Sequence, residues 1–116
     1  MVCMLKVDCG VEFVNQPLRE YFGMTLEELK NWEFIGVVHP EDIQRVVAKT
    51  RHSAATGEPY DVEHRCLRHD GVFRWFQVRA MPLRDAAGHV VRWYLLLADI
   101  EDRKRAEEAL QLQVDV

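Results

Sequence analysis

The most constraining feature of this chain is a change in the period of its apolar residues at position 60. From there on, apolar and polar side chains alternate over residues 61–68 and 72–83, and a third stretch, residues 90–98, is nearly all apolar. Such alternation is typical of a β-strand with one buried face. An Asp-Gly pair at positions 70 and 71, a strong two-residue hairpin signal, separates the first two stretches. The second half of the chain is therefore predicted to form three consecutive antiparallel strands.

The first half predicts a β-hairpin followed by helices. Two short apolar runs, residues 3–7 and 11–14, flank a turn of sequence Asp-Cys-Gly. The TLEE sequence at 25–28 is a capping box and predicts a short helix that continues to about Trp32. A His-Pro-Glu-Asp segment at 39–42 predicts the start of the longest helix, because proline suits the first helical position and acids oppose the helix dipole. A hairpin, inserted helices and a strand meander together predict an α+β fold.

Length and charge exclude several classes of protein. The 116 residues fit one domain, and the net charge of −4 gives no electrostatic basis for binding nucleic acid. No apolar run approaches the roughly 18 residues of a membrane-spanning helix, and the N-terminus has no secretory signal pattern. Three cysteines, an odd number, do not form a disulfide framework and suit a reducing compartment. We therefore expect a cytoplasmic domain.

Five groups of residues, in order along the chain, resemble the motifs of a PAS domain, the small sensor module of bacterial signalling proteins. They are VEFVN (11–15), TLEEL (25–29), VHPED (38–42), EHR (63–65) with DGVFRW (70–75), and PLRD (82–85) with Gly88 and DIEDRK (99–104). The VHPED sequence resembles the subgroup in which the long helix starts with histidine, proline and an acid. The resemblance implies a five-stranded antiparallel sheet of order 2-1-5-4-3, with short helices on one face and a pocket between them.

The resemblance also implies a function. It predicts a PAS sensor domain over residues 1–100 and the start of a connecting helix over residues 101–116. That helix would relay a ligand or interface signal to an output domain outside the chain, of the histidine kinase or diguanylate cyclase type. On this interpretation the chain is not an enzyme, has no catalytic residues and no metal site, and carries no cofactor.

Two alternatives stay open. One is a haem- or flavin-binding redox or gas sensor of the same fold, in which a flavin would be held noncovalently. The covalent flavin photochemistry of this superfamily is excluded, because residues 32–40 contain no cysteine. The other alternative is a small α+β cone enzyme or a ligand carrier. The N-terminal hairpin and the lack of an inward-facing carboxylate in the predicted strands argue against it.

Alternation also assigns the two faces of the predicted sheet. Its inner face, with residues from the helical side, is predicted to line a ligand pocket of Phe34, Ile35, Val47, Val62, His64, Cys66, Phe76, Val78, Trp93 and Leu95. His64 and Cys66 are the two polar residues of this set, and we expect them to contact a small ligand if one binds. The competing interpretation is a histidine hydrogen-bonded within the core, beside a cysteine that packs as a small apolar residue.

The outer face of the sheet predicts a contact with a partner. Trp75, Tyr94 and Leu96 share this face and have polar neighbours. Apolar groups rimmed by polar residues usually mark an interaction site, so we predict a homodimer contact here. The alternative is that the helix after Asp99 folds back and covers the group.

Overall fold

A five-stranded antiparallel sheet is the framework of the chain, as predicted. The computed structural model describes residues 1–8, 10–30 and 37–114. Its elements are β1 (Val2–Lys6), β2 (Val11–Val14), α1 (Gln16–Phe22), α2 (Leu26–Lys30), α3 (Ile43–Thr56), β3 (Tyr60–Leu67), β4 (Phe73–Arg84), β5 (Val90–Asp99) and α4 (Glu101–Val114). The strand order is β2-β1-β5-β4-β3, and every neighbouring pair is antiparallel. The predicted α+β fold and strand order are confirmed.

The assignment of an inner face to the three long strands is confirmed by burial. The buried residues of these strands are Val62, His64, Cys66, Phe76, Val78, Ala80, Trp93, Leu95 and Leu97. They alternate along each strand with residues that are half-buried or exposed. Phe76 has 0% of its surface exposed and lies in the middle of this set. Complete burial of a side chain of that size contributes about 1.5–3 kcal/mol, so the inner face supplies much of the core.

Side-chain caps fix where the two short helices begin. Asn15 precedes α1, and its side-chain oxygen accepts hydrogen bonds from Leu18 N (3.3 Å) and Val2 N (3.1 Å). One cap therefore also ties α1 to the first strand. The predicted capping box of α2 is confirmed, since Glu28 N donates to Thr25 Oγ1 and Thr25 N donates to Glu28 Oε1, each at 3.2 Å.

The predicted start of the longest helix is wrong. The sequence places it at Pro40, whereas α3 begins at Ile43 after a turn in which Asp42 N donates to His39 O (2.8 Å). This segment turns because its backbone pairs with the open edge of β3, where His39 N donates to Arg65 O (2.9 Å). Asp42 makes no side-chain cap to the helix, because its carboxylate binds β3 instead.

The remaining helices differ little from expectation. α2 ends at Lys30, and its predicted continuation to Trp32 lies outside the described residues. α4 follows β5 directly and runs for 14 residues. Across residues 1–8, 10–30 and 37–114, we find no helix with the length and apolar character needed to cross a bilayer.

Candidate functional site

A cavity of about 120 Å³ lies between the inner face of the sheet and the helices. The described residues on its wall are Leu5, Val11, Phe22, Val38, Val46, Thr50, Tyr60, His64, Cys66, Val78, Leu95 and Leu97. Strands contribute apolar side chains, and α3 contributes one valine and one threonine. The cavity is therefore an apolar space with few hydrogen-bonding groups, as is usual for sites that bind small molecules.

Nine of the ten residues predicted to line the pocket divide into three groups. His64, Cys66, Val78 and Leu95 lie on the cavity wall. Val62, Phe76 and Trp93 are buried on the same face of the sheet but outside this wall, and Trp93 borders a smaller space nearby. Phe34 and Ile35 lie outside the described residues.

Val47, which was predicted to line the pocket, does not lie on the cavity wall. It is half-buried, and the α3 residues on the cavity wall are Val46 and Thr50. Ser53 continues the same side of the helix and is 1% exposed. Positions i, i+4 and i+7 share one face of a helix, so this spacing, counted from Val46, would have found the inward side of α3.

His64 and Cys66 form a neutral pair at the cavity. The Cys66 Sγ and His64 Nδ1 atoms are 3.4 Å apart, and both residues are buried. Burial lowers the pKa of His64 below 6.5, although a hydrogen bond to the backbone of Arg65 and the charge of Asp42 oppose this. Burial, and to a smaller extent Asp42, raises the pKa of Cys66 to about 12. At neutral pH the pair is thus an uncharged imidazole beside a thiol, which suits hydrogen bonding and not nucleophilic attack.

Asp99 joins the sheet to the start of α4. Its Oδ2 atom accepts hydrogen bonds from the Tyr21 hydroxyl and from Arg74 Nε, both at 2.6 Å. Its Oδ1 atom accepts one from Glu101 N (2.9 Å), in the first turn of α4. Burial would raise the pKa of Asp99, but its hydrogen bonds with Arg74, Tyr21 and the Glu101 backbone outweigh burial and lower it. The carboxylate therefore stays charged and holds three parts of the chain together.

Aromatic contacts connect this junction to the cavity. The Tyr21 ring meets the rings of Phe22 and Phe76 edge-on, with centroid distances of 5.2 and 5.0 Å. Phe22 stacks on Phe76 at 5.8 Å and also lies on the cavity wall. Side chains in direct contact therefore run from the cavity through Tyr21 to the Asp99 carboxylate.

The helix α4 also covers one end of the outer sheet face. Ile100 N donates to Trp75 O (2.8 Å), and Trp75 N donates to a carboxylate oxygen of Glu101 (2.7 Å). Lys104 Nζ lies 4.8 Å from the centroid of the Trp75 ring, and Arg65 Cζ lies 5.2 Å from it. Trp75 is consequently half-buried under α4, as in the alternative that the sequence left open for this face.

Tyr94 and Leu96 stay exposed and belong to a larger apolar surface. Strand register aligns Phe13, Met4, Tyr94 and Met81 in one row across four strands. Leu96 lies in the next row, and 48% of its surface is exposed. We name these five residues the outer patch. Alternation in the sequence identifies two of them, Tyr94 and Leu96, but groups them with Trp75, which the register places near the opposite end of β4.

A family model described as the PAS fold matches residues 11–96 of this chain. The chain belongs to the PAS family. Its PAS domain is 34% identical over 103 residues to the blue-light-activated histidine kinase of Brucella ovis, covering 88% of the chain and 19% of that protein. Over 101 residues it is 34% identical to the peroxide stress-activated histidine kinase of Schizosaccharomyces pombe, covering 87% of the chain and 6% of that protein.

The same family appears among solved structures. The PAS domain is similar to the sensory box histidine kinase/response regulator from Burkholderia thailandensis, with a TM-score of 0.76 and 30% sequence identity. This likeness covers 98% of the chain and 86% of that structure. The chain thus corresponds to a small part, between 6% and 19%, of the two curated relatives named above.

Proposed function

We propose that this PAS domain is the sensory module of a signalling protein of the histidine kinase type. Occupation of the cavity, or association at the outer patch, would change how α4 is held and so reach an output domain beyond it. The observation that supports this proposal most strongly is the junction at Asp99, whose carboxylate binds Tyr21, Arg74 and the first turn of α4. The names of the Brucella and Schizosaccharomyces relatives, both histidine kinases, support this assignment.

The same proposal holds that the domain neither catalyses a reaction nor carries haem or flavin. The uncharged His64–Cys66 pair supports the first part. The size of the cavity supports the second, because an engineered cavity of about 150 Å³ holds a single benzene ring. At about 120 Å³, the space bounded by the described residues is of the size that takes one ring, whereas a flavin has three. No metal-holding group of three or more His, Cys, Asp or Glu side chains occurs among those residues.

We also propose a reducing, cytoplasmic location for the domain. Two buried free thiols, Cys3 and Cys66, support it.

A chimaera tests the sensory proposal. The chain replaces the matching 103 residues of the Brucella ovis kinase, and Val78→Leu adds a methylene group to the cavity wall as a mimic of occupation. We expect this substitution to change the autophosphorylation rate at least about threefold, by shifting the population of α4 arrangements. We expect Asp99→Asn to remove that response, because the amide does not hold Arg74 and Tyr21 as a carboxylate does.

The matched control is Val91→Leu, at an exposed position near the start of β5, which should leave the rate unchanged. Equal rates for the chimaeras with Val78 and with Leu at that position would contradict a sensory cavity. A response that survives Asp99→Asn would contradict the junction as the route.

We also propose that the outer patch pairs two copies of this PAS domain. Its row of Phe13, Met4, Tyr94 and Met81 exposes apolar surface on an open sheet face. Both charge signs occur beside it on the sheet, as the pairs Arg79–Asp61 (3.1 Å) and Arg92–Glu12 (2.8 Å). A surface that mixes both signs complements itself across a two-fold axis, so a second copy is the occupant we propose.

Charges placed in the outer patch should separate the dimer. We expect Tyr94→Glu with Leu96→Glu to weaken association at least about tenfold, because each carboxylate would lose its hydration in an apolar contact. Sedimentation equilibrium over a concentration series measures this directly. Val72→Glu, an exposed apolar position in the β3–β4 hairpin, is the matched control and should leave association unchanged. A wild-type chain that is monomeric at high micromolar concentration would refute the dimer.

A further inference from the structure

Ser53 is a buried hydroxyl that the fold does not use. It lies on α3 with 1% of its surface exposed, and within the described structure its Oγ atom has no hydrogen-bond partner. Two threonines of the same helix behave differently. Thr50 Oγ1 donates to Val46 O (2.9 Å) and Thr56 Oγ1 to His52 O (2.8 Å), each one turn back. Buried polar groups without a partner are rare in native proteins. The Ser53 hydroxyl is therefore available to form a hydrogen bond with a group from outside the chain.

The space beside Ser53 adjoins the main cavity. It measures about 10 Å³ and shares Leu5, Thr50, Tyr60 and Leu95 with the cavity wall. A volume of this order is about what one water-sized group occupies. The larger space therefore has room for one ring, and the adjacent smaller space, which Ser53 lines, has room for one polar atom.

The walls favour uncharged molecules. Of the described residues that line the two spaces, none is an Asp, Glu, Lys or Arg. His64 is the one titratable nitrogen base there, and burial keeps it neutral. An anion or cation entering this compartment would lose its hydration without meeting an opposite charge, which is strongly unfavourable.

We propose that the cavity binds neutral single-ring molecules that carry one hydroxyl or carbonyl oxygen, and that Ser53 selects them by a hydrogen bond from or to that oxygen. This inference rests on the sensory function proposed above and specifies its ligand class. The apolar ring would occupy the larger space, and the oxygen would occupy the space next to Ser53.

Three single-ring probes test the proposal: phenol, benzene and benzoate. Each is titrated into the ¹⁵N-labelled chain at pH 7, and the dissociation constant is taken from the shifts of backbone amide signals of α3 and β3. We expect phenol to bind about 2- to 10-fold more tightly than benzene, the range of one net hydrogen bond. We expect benzoate, which is an anion at this pH, not to bind.

Ser53→Ala should bring the phenol affinity down to that of benzene and leave benzene unaffected. Thr56→Ala, which removes an exposed hydroxyl already bonded to its own helix, is the matched control and should keep the preference for phenol. Amide spectra of both variants establish that they fold.

Two results would overturn the proposal. One is an equal affinity for phenol and benzene in the wild-type chain, which would mean that Ser53 is satisfied by trapped water. The other is the absence of binding by both, which would remove the ligand class. The chimaera experiment answers a separate question: a rate change on filling the cavity, together with no binding of phenol, would reject the ligand class and keep the sensory function.

Discussion

Replacing Asp42 with alanine is expected to lower the free energy of unfolding by about 3 kcal/mol, since it breaks a largely buried ion pair. Asp42 is only 5% exposed. One carboxylate oxygen accepts hydrogen bonds from the backbone N and the side-chain Nε of Arg65, at 2.8 and 3.0 Å, and the other accepts from Arg65 Nη2 at 3.0 Å. Alanine would leave a backbone N–H and a guanidinium without these partners. Urea denaturation measures the loss.

Glu41→Ala is the matched control for this prediction. Glu41 also bonds to Arg65, at 3.1 Å, but 75% of its side chain is exposed. Exposed ion pairs contribute about 0–1 kcal/mol, so the control should be close to the wild type. Equal losses from the two substitutions would contradict a special role for Asp42.

The stability contributed by Asp42 should also depend on pH. Burial would raise the pKa of Asp42, but the hydrogen bonds and charge of Arg65 prevail and lower it from 3.8 to about 2. A carboxyl group with a lowered pKa in the folded state stabilises the fold at pH values above its unfolded-state pKa. This contribution should be present at pH 5 and disappear as the pH falls from about 4 to 2. Denaturation of wild type and Asp42→Ala should therefore give converging stabilities in that interval.

Phe76→Ala should be the most damaging single substitution in the core, with an expected loss of about 4 kcal/mol. Phe76 is 0% exposed, and its ring packs against the rings of Tyr21 and Phe22. The loss combines apolar transfer with the cavity left behind. It would consume a large part of the about 5–15 kcal/mol typical of a domain. Thermal and urea unfolding report the change.

The control for Phe76→Ala lies on the same strand. Phe73→Ala removes a ring that is 37% exposed and contacts His39 edge-on at 4.8 Å. We expect this substitution to lower the free energy of unfolding by about 1 kcal/mol or less, because more than a third of the Phe73 surface is already in contact with water. A similar loss from both substitutions would show that Phe76 is not the centre of the core.

The sequence predicted what depends on local periodicity. Alternation identified the inner faces of β3, β4 and β5, because a period of two places every second side chain on the same side. The capping box at Thr25 identified the start of α2 for a similar reason, since both partners lie within one turn. Each of these signals is contained in a few neighbouring residues.

Features that depend on distant pairing were missed. Nothing near Pro40 indicates that His39 pairs with Arg65 of β3, 26 residues further along the chain, so the predicted helix start is too early. The role of Asp42 as a partner of Arg65 was hidden for the same reason. Ser53 was overlooked because a serine in a helix is ordinary, and only the folded structure shows that its hydroxyl has no bond.

The turn before α3 has a consequence for how copies of this domain can meet. β3 is the outermost strand on one side of the sheet, and unpaired edges of this kind invite another chain to add as a further strand. Here Val37 O, His39 N and the Asp42 carboxylate occupy the outward-facing backbone groups of Arg65 and Leu67 in the second half of β3. The strand at the opposite border, β2, is only four residues long. Both borders therefore resist strand addition, so crowded copies should stack through their broad faces and not extend into a continuous cross-β ribbon.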